Sequence, residues 1–295
     1  MAVDGEMTPR VAFFGFGEAA NAFLSGWAPG DPARINAYDI KTDDPETAPA
    51  MQSRFAQAGV TGVATPQAAL VDAQYIFSVV TADQALAVAQ SASGGLMPGA
   101  LWFDCNSCAP ETKRRAAEVI EAAGGRYVDV AVMSPVHPKR HLVPLKIAGP
   151  HAEDGAAALR KFDMRPEVVG DKVGQASSIK MIRSVMIKGL EALTAECFLA
   201  ARRAGVEEEV LASLEASDPD IAWRKRGSYN LERMIVHGTR RAAEMREVAV
   251  TLGDLGLPNH MSAASAEWQD QVANAGVTAG QDDLFDRMDR LLSRL

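Results

Sequence analysis

Arg10-Val-Ala-Phe-Phe-Gly15-Phe-Gly17-Glu-Ala-Ala20 is the stretch on which the fold turns. An apolar run reads as a strand, Gly-x-Gly-x-x-Ala follows at once, and the Ala-rich stretch behind it reads as the start of a helix. In that setting each small residue has a task. The first glycine allows the tight turn, the second lets the backbone approach a pyrophosphate, and the small third residue lets helix pack on strand. The helix N-terminus adds N–H groups and positive potential for the phosphates. Gly15, Phe16, Gly17, Glu18, Ala19 and Ala20 are therefore candidate dinucleotide-binding residues. Asp39 ends the next strand, about 20 residues on, where a carboxylate grips both hydroxyls of an adenine ribose. This favours NAD. Lys41 just downstream offers a cation for a 2′-phosphate, so NADP stays open. The alternative, a glycine turn that binds nothing, is disfavoured by the joint pattern.

Outward from this loop, residues 10 to 130 alternate short apolar runs with longer Ala-rich amphipathic stretches, the pattern of a parallel sheet wrapped by helices. The expected strands are Arg10–Phe14, Arg34–Tyr38, Thr61–Val63, Tyr75–Val79, Ala100–Phe103 and Tyr127–Val130. Helix starts are marked by Pro66 after Thr65, by Pro110 before Glu111 and by Asp83 soon after Thr81. A proline- and histidine-rich segment, Val132–Pro144, is followed by a strand at Leu145–Ala148 and a helix at Ala152–Phe162. From Gly174 onward Ile179, Ile182, Met186, Leu190, Leu193 and Cys197 recur at steps of three and four, which implies a helix of about 25 to 30 residues. Beyond Glu207 no strand is convincing, and Pro219 and Pro258 punctuate several amphipathic helices. The expected fold class is α/β: an N-terminal doubly wound sheet domain of the Rossmann type (1–172), then an all-α domain (173–295) opening with the long connecting helix.

Composition narrows the function. With 30 Lys plus Arg against 38 Asp plus Glu in 295 residues, the formal charge of -8 offers no excess positive potential to nucleic acid or anionic lipid. No apolar run approaches the roughly 20 residues that span a bilayer, and the start, Met1 to Arg10, is acidic and polar where a signal peptide is basic and then apolar. A cytoplasmic protein is expected. Cys105, Cys108 and Cys197 are too few and too odd for a disulfide framework. Cys105-Asn-Ser-Cys108 is a CxxC, but it has no second CxxC or spaced His pair. It reads as loop lining near the nicotinamide ahead of a redox pair, and no metal site is expected.

Lys180 stands among Ile179, Met181 and Ile182 on the long helix, with Ser184 four residues on and so on the same face. A desolvated lysine has the lowered pKa wanted in a group that exchanges a proton with a substrate hydroxyl. On the residues alone, a snorkelling surface lysine is the commoner reading. Together, GxGxxA at 15 to 20, Asp39, Asp104-Cys-Asn-Ser-Cys-Ala-Pro110-Glu-Thr, Asp129-Val-Ala-Val-Met and VGxxGxxxxxKxxxS at 169 to 184 resemble, in order and over the whole chain, the β-hydroxyacid dehydrogenases. That is the family of the 3-hydroxyisobutyrate and 6-phosphogluconate dehydrogenases. Ile179 to Leu193 and His237 to Val248 look like a little-characterised phosphogluconate-dehydrogenase-like branch.

The resemblance implies an NAD(P)-dependent oxidoreductase, a homodimer, and Lys180 as the acid or base of alcohol–carbonyl interconversion. Val80 and Thr81 would flank the nicotinamide-side ribose, with Asn106 and Ser107 on the same side and Ser107 near the reacting end. Departures fall on the substrate side. The family's asparagine is Ser184 here, a shorter hydrogen-bonding group that stands with Lys180 as a catalytic candidate. Its Ser-Gly-Gly becomes Met133, Ser134 and Pro135, and proline has no N–H to donate. Its Lys–Asp pair becomes Ala243-Glu244, with Arg240 and Arg241 one turn away to replace the cation. His137, in a basic cluster with Lys139, Arg140 and His141, reads equally as anion binder or solvated loop. Met133, Ser134, His137, Arg240 and Arg241 are thus the substrate candidates. For His237, Arg240, Arg241 and Glu244 a surface ion-pair ladder is as good a reading. Rival functions are an imine reductase of the same fold, in which the lysine is typically replaced, and an NAD-binding regulator without turnover.

Overall fold

The structure, a computed structural model, describes residues 10–27 and 34–295. The polar start, through Pro9, lies outside the described residues. Eight strands form one sheet: β1 Val11–Phe14, β2 Ile35–Tyr38, β3 Thr61–Gly62, β4 Tyr75–Ser78, β5 Leu101–Asp104, β6 Arg126–Val132, β7 Pro144–Ala148 and β8 Arg165–Gly170. Their order is β3-β2-β1-β4-β5-β6-β7-β8. Every neighbouring pair is parallel except β6 with β7. The order reverses at β1, which opens a crevice at the carboxyl ends of β1 and β4, the place where such sheets take ligands. The helices between are α1 Glu18–Leu24, α2 Ala48–Ala58, α3 Pro66–Ala69, α4 Ala85–Ala92, α5 Pro110–Ala122 and α6 Ala152–Lys161.

Strands buried on both faces need apolar residues at every position, not at alternate ones. Phe13, Phe77, Phe103 and Val128 point into one core layer. Their neighbours Phe14, Ile76, Trp102 and Tyr127 point into the other. Phe13, Phe77 and Phe103 stack across three strands with ring centroids 5.3 and 4.9 Å apart. Each such fully buried ring contributes about 1.5–3 kcal/mol by area. Thr65 caps α3 through its hydroxyl and Pro110 opens α5, as their spacing predicts. β6 runs two residues past the expected end. The sequence showed no strand at β8, because its first half, Arg165-Pro166-Glu167, is polar and carries a proline. As the last strand of the sheet, β8 tolerates that proline.

The long helix α7 covers Gln175–Ala204, 30 residues. After it come α8 Glu207–Ser217, α9 Trp223–Asp254, α10 His260–Asn274 and α11 Leu284–Leu292, with Pro219 and Pro258 in the links. The chain forms two compact units, 1–180 and 181–295; their boundary falls inside α7, so Lys180 belongs to the sheet unit. The helical unit has its own core, built from Phe198, Leu231, Met234, Val272, Met288 and Leu291. Among the described residues no helix is long and apolar enough to cross a membrane.

Candidate active site

The glycine loop leaves β1 through Gly15, whose φ of +80° suits glycine and whose N–H bonds Tyr38 O at 2.9 Å. A Cβ at Gly15 would stand 2.8 Å from Val79 O, so packing alone demands glycine there. Gly17 differs. A Cβ on it would meet no protein atom within 4 Å. The protein therefore leaves the space above this backbone open, as a pyrophosphate pressed against it requires. Asp39, 9% exposed, holds the loop from below: Phe16 N donates to Oδ2 at 2.7 Å and Lys41 N to Oδ1 at 3.0 Å. Each oxygen keeps a further lone pair for a ribose hydroxyl. Arg54 of α2 donates to Phe16 O at 3.3 Å, a contact on this loop that the sequence did not signal. The donor and acceptor set of the loop fits a dinucleotide.

Across the crevice, Asn106 ties two strand ends together. Its Oδ1 accepts from Val80 N at 2.7 Å and its Nδ2 donates to Ser78 Oγ at 2.9 Å. Thr81 is exposed at the start of the short helical turn 82–84. Ser107, next to Asn106, accepts a hydrogen bond from the half-buried Lys180 Nζ. The structure thus brings Lys180 of α7 to the loop after β5, the two being separated by 73 residues in the chain.

Beneath this pair lies a cluster that the sequence reading missed. Lys113 of α5 is fully buried. Its ammonium donates to Asp104 Oδ1 at 3.0 Å and Val130 O at 3.3 Å, and lies 3.5 Å from Asp129 Oδ1. Burial pulls the Lys113 ammonium down, and the Asp104 and Asp129 carboxylates more than offset it, so its pKa lies above the ordinary lysine range. Tyr127 donates its hydroxyl to Asp104 Oδ2 at 2.6 Å, and burial followed by the two carboxylates keeps that phenol protonated. A signal was available: Asp104 and Asp129 face each other in register on adjacent strands, and two buried carboxylates there require a cation.

Cys105 and Cys108 are buried and Cys197 is half-buried, and no disulfide joins them. Burial pushes the Cys105 thiol up to about 12, so it is not a thiolate at neutral pH. Met133 packs with Ala131, Ala148 and Ala176, and its N–H bonds Pro144 O at 3.0 Å. Ser134 Oγ donates to Pro135 O at 3.3 Å. His137 is exposed. Arg140 donates to Ser25 O at 3.1 Å. Among the described residues, no group of three His, Cys, Asp or Glu could hold a metal.

In the helical unit, Ser184, Lys188 and Glu191 project from α7 at helical spacing. Lys188 donates to Ser184 Oγ at 3.1 Å and pairs with Glu244 at 2.8 Å; Arg240 pairs with the other Glu244 oxygen at 2.9 Å. Arg241 is buried and grips both oxygens of Glu191, its Nε at 2.7 Å from Oε2. Gln269 of α10 donates to the same Oε2 at 2.9 Å. Arg240 and Arg241, one residue apart, thus engage different carboxylates. Burial and then Arg233 lower the pKa of His237. Lys188, Glu191 and Gln269 were not singled out from the sequence, because a polar residue on an amphipathic helix gives no sign of which partner covers it.

Residues 34–137 match the NAD binding domain of 6-phosphogluconate dehydrogenase, and 201–272 match a domain of unknown function, DUF1932. A conserved hypothetical protein from Sinorhizobium meliloti 1021 is 38% identical, with 98% of each chain covered and a TM-score of 0.77. A conserved protein of unknown function, described for its structural similarity with 3-hydroxyacid dehydrogenases, is 30% identical over 90% of this chain and 97% of that one, with a TM-score of 0.67. The Mycobacterium tuberculosis 3-hydroxyisobutyrate dehydrogenase is 15% identical over 97% and 99% of the two chains, TM-score 0.73, and shares the fold. A 28.5 kDa protein of Methanothermus fervidus is 33% identical over 48% of this chain; the match spans about half of that relative, 54%.

Proposed function

Because this chain belongs to the β-hydroxyacid dehydrogenase family, we propose that it is an NAD(P)-dependent dehydrogenase that moves a hydride between an alcohol carbon of a polar substrate, a hydroxy acid or a close relative, and C4 of nicotinamide, with Lys180 as the proton-transfer group. The observation that carries this reading is the hydrogen bond from Lys180 to Ser107, made at the loop that follows β5 on the carboxyl edge of the sheet.

Bound nicotinamide supplies the hydride acceptor for oxidation and the donor for reduction. Gly15 to Ala20 hold the pyrophosphate, and Asp39 accepts from the adenine ribose. Val80, Thr81 and Asn106 shape the nicotinamide side. In oxidation, neutral Lys180 takes the hydroxyl proton as the hydride leaves; in reduction, its ammonium returns that proton to the carbonyl oxygen. Ser107 fixes the direction of Nζ by accepting its hydrogen bond. On the sheet unit, Met133, Ser134 and His137 are the residues proposed for substrate; in the helical unit, Arg241 is engaged by Glu191 and Arg240 by Glu244. The test is a panel of hydroxy acids, sugar acids, aryl alcohols and cyclic imines with each dinucleotide. Turnover of alcohols supports the proposal. Turnover of imines alone, or tight dinucleotide binding with no turnover across the panel, overturns it.

The chain's oligomeric state belongs to the same reading. In the helical unit α7 and α9 expose large apolar side chains at helical spacing, Met186 at 62% and Leu193 at 56% on one, Tyr229 and Val236 on the other. Such faces suit a second copy of the chain. A dimer mass at micromolar concentration is expected, and a monomer mass contradicts it.

A further inference from the structure

The mechanism above leaves Lys113, Asp104 and Asp129 without a task, although two carboxylates and an ammonium buried together are costly to desolvate. Their connections show what they hold. On one side, Asp104 Oδ1 accepts from Asn106 N at 3.0 Å, which sets the turn that presents Asn106 to Val80 and Ser107 to Lys180. On the other, Asp129 Oδ2 accepts from Gly174 N at 3.0 Å, Ser177 N at 3.1 Å and Ser177 Oγ at 3.1 Å. These are donors of the first turn of α7, which its own residues leave without acceptors. Asp129 is therefore an N-cap supplied from the sheet, and Lys180 stands one turn beyond Ser177 on the helix it caps. Lys113 lies between the two carboxylates and contacts both.

We propose that Lys113 is a positioning residue for Lys180: its ammonium ties the carboxylate that sets the Asn106–Ser107 turn to the carboxylate that caps the Lys180 helix, and so fixes Nζ against Ser107. The inference rests on the reading of Lys180 as proton-transfer group only for its importance; the link itself is independent of that role. A bridge of this kind suits the task. A salt-bridged ammonium between two strand ends leaves little freedom, while shifts of about 1 Å at a reacting group cost ~10²-fold in rate. The alternative, a cluster that merely fills the core, would be served by apolar residues of similar size.

The experiment compares Lys113→Met and Ser177→Ala with the unmodified chain by three readouts. Hydrogen exchange reports the Gly174 and Ser177 amides. Brief acetic anhydride labelling at fixed pH reports Lys180, with the exposed Lys139 and Lys172 as internal standards. NADH fluorescence titration reports the dinucleotide site. Ser177→Ala keeps every charge and removes one donor to Asp129, so it keeps the inference testable should Lys113→Met not fold. In whichever variant folds, the two amides should exchange faster and Lys180 should label about threefold faster relative to the standards, because an amine released from its hydrogen bond to Ser107 is freer to react. NADH affinity should stay within a few-fold. Unchanged labelling of Lys180 overturns the inference, as does labelling that rises equally at all three lysines with NADH affinity lost in step. None of these outcomes depends on turnover, so a failure of the Lys180 mechanism would show separately, in the rate of Lys180→Met.

Discussion

The sheet unit and the helical unit carry their polar chemistry in different ways. In the sheet unit the important side chains sit at strand ends, where Asp39, Asn106 and Asp104 each bind backbone N–H groups of a neighbouring turn. In the helical unit they project from helix faces and bind one another, Lys188 with Glu244 and Arg241 with Glu191. Backbone-anchored groups hold a fixed geometry, as the binding of a dinucleotide requires. Groups anchored only by other side chains depend on those partners, so the loss of one leaves the next uncompensated.

Lys180→Met should separate the two jobs most sharply. The rate is expected to fall ~10²- to 10⁴-fold, as for loss of a general acid–base, while dinucleotide affinity stays within a few-fold. Ser184→Ala should do much less and act on KM. Comparable losses in both variants would erase the distinction.

The sheet unit was legible because its signals are local. Gly15 and Gly17 follow β1 directly, Asp39 ends β2, and apolar runs mark β1, β2, β4 and β5 to within a residue. α7 was legible from its three-and-four spacing. The ion clusters were not. Lys113 looks like any lysine near the start of an amphipathic helix, and only the register of β5 on β6 shows two aspartates that require it. Glu191 lies 50 residues from Arg241 and 78 from Gln269, so no window of sequence contains the cluster. β8 was hidden by Pro166, which an edge strand accepts.

The next effect belongs to the helical unit alone. Arg241→Met leaves Glu191 buried at 2% exposure with Gln269 as its remaining donor in that cluster. Removal of one partner of a buried pair costs about 3–5 kcal/mol. Denaturant unfolding should show that loss, with NADH binding to the folded protein unchanged. A loss below about 1 kcal/mol would mean that the pair is not the anchor described.

A smaller shift is expected at Asp39. The unmodified chain should bind NAD more tightly than NADP, since a carboxylate beside the 2′ position repels an added phosphate. Asp39→Asn keeps an acceptor oxygen and removes the charge, so direct titration should show the preference narrowed by about tenfold, some 1.4 kcal/mol. Equal affinities before substitution would contradict the assignment of Asp39.

The central claim is that Lys180 moves the proton, and the pH dependence of the oxidation rate, at saturating alcohol and dinucleotide, tests it most directly. Oxidation needs the neutral amine, so the rate of the unmodified chain should rise with pH and level off once Lys180 has lost its proton. In Lys180→Met the residual rate should lose that limb. A limb that persists unchanged in the variant would show that another group carries the proton.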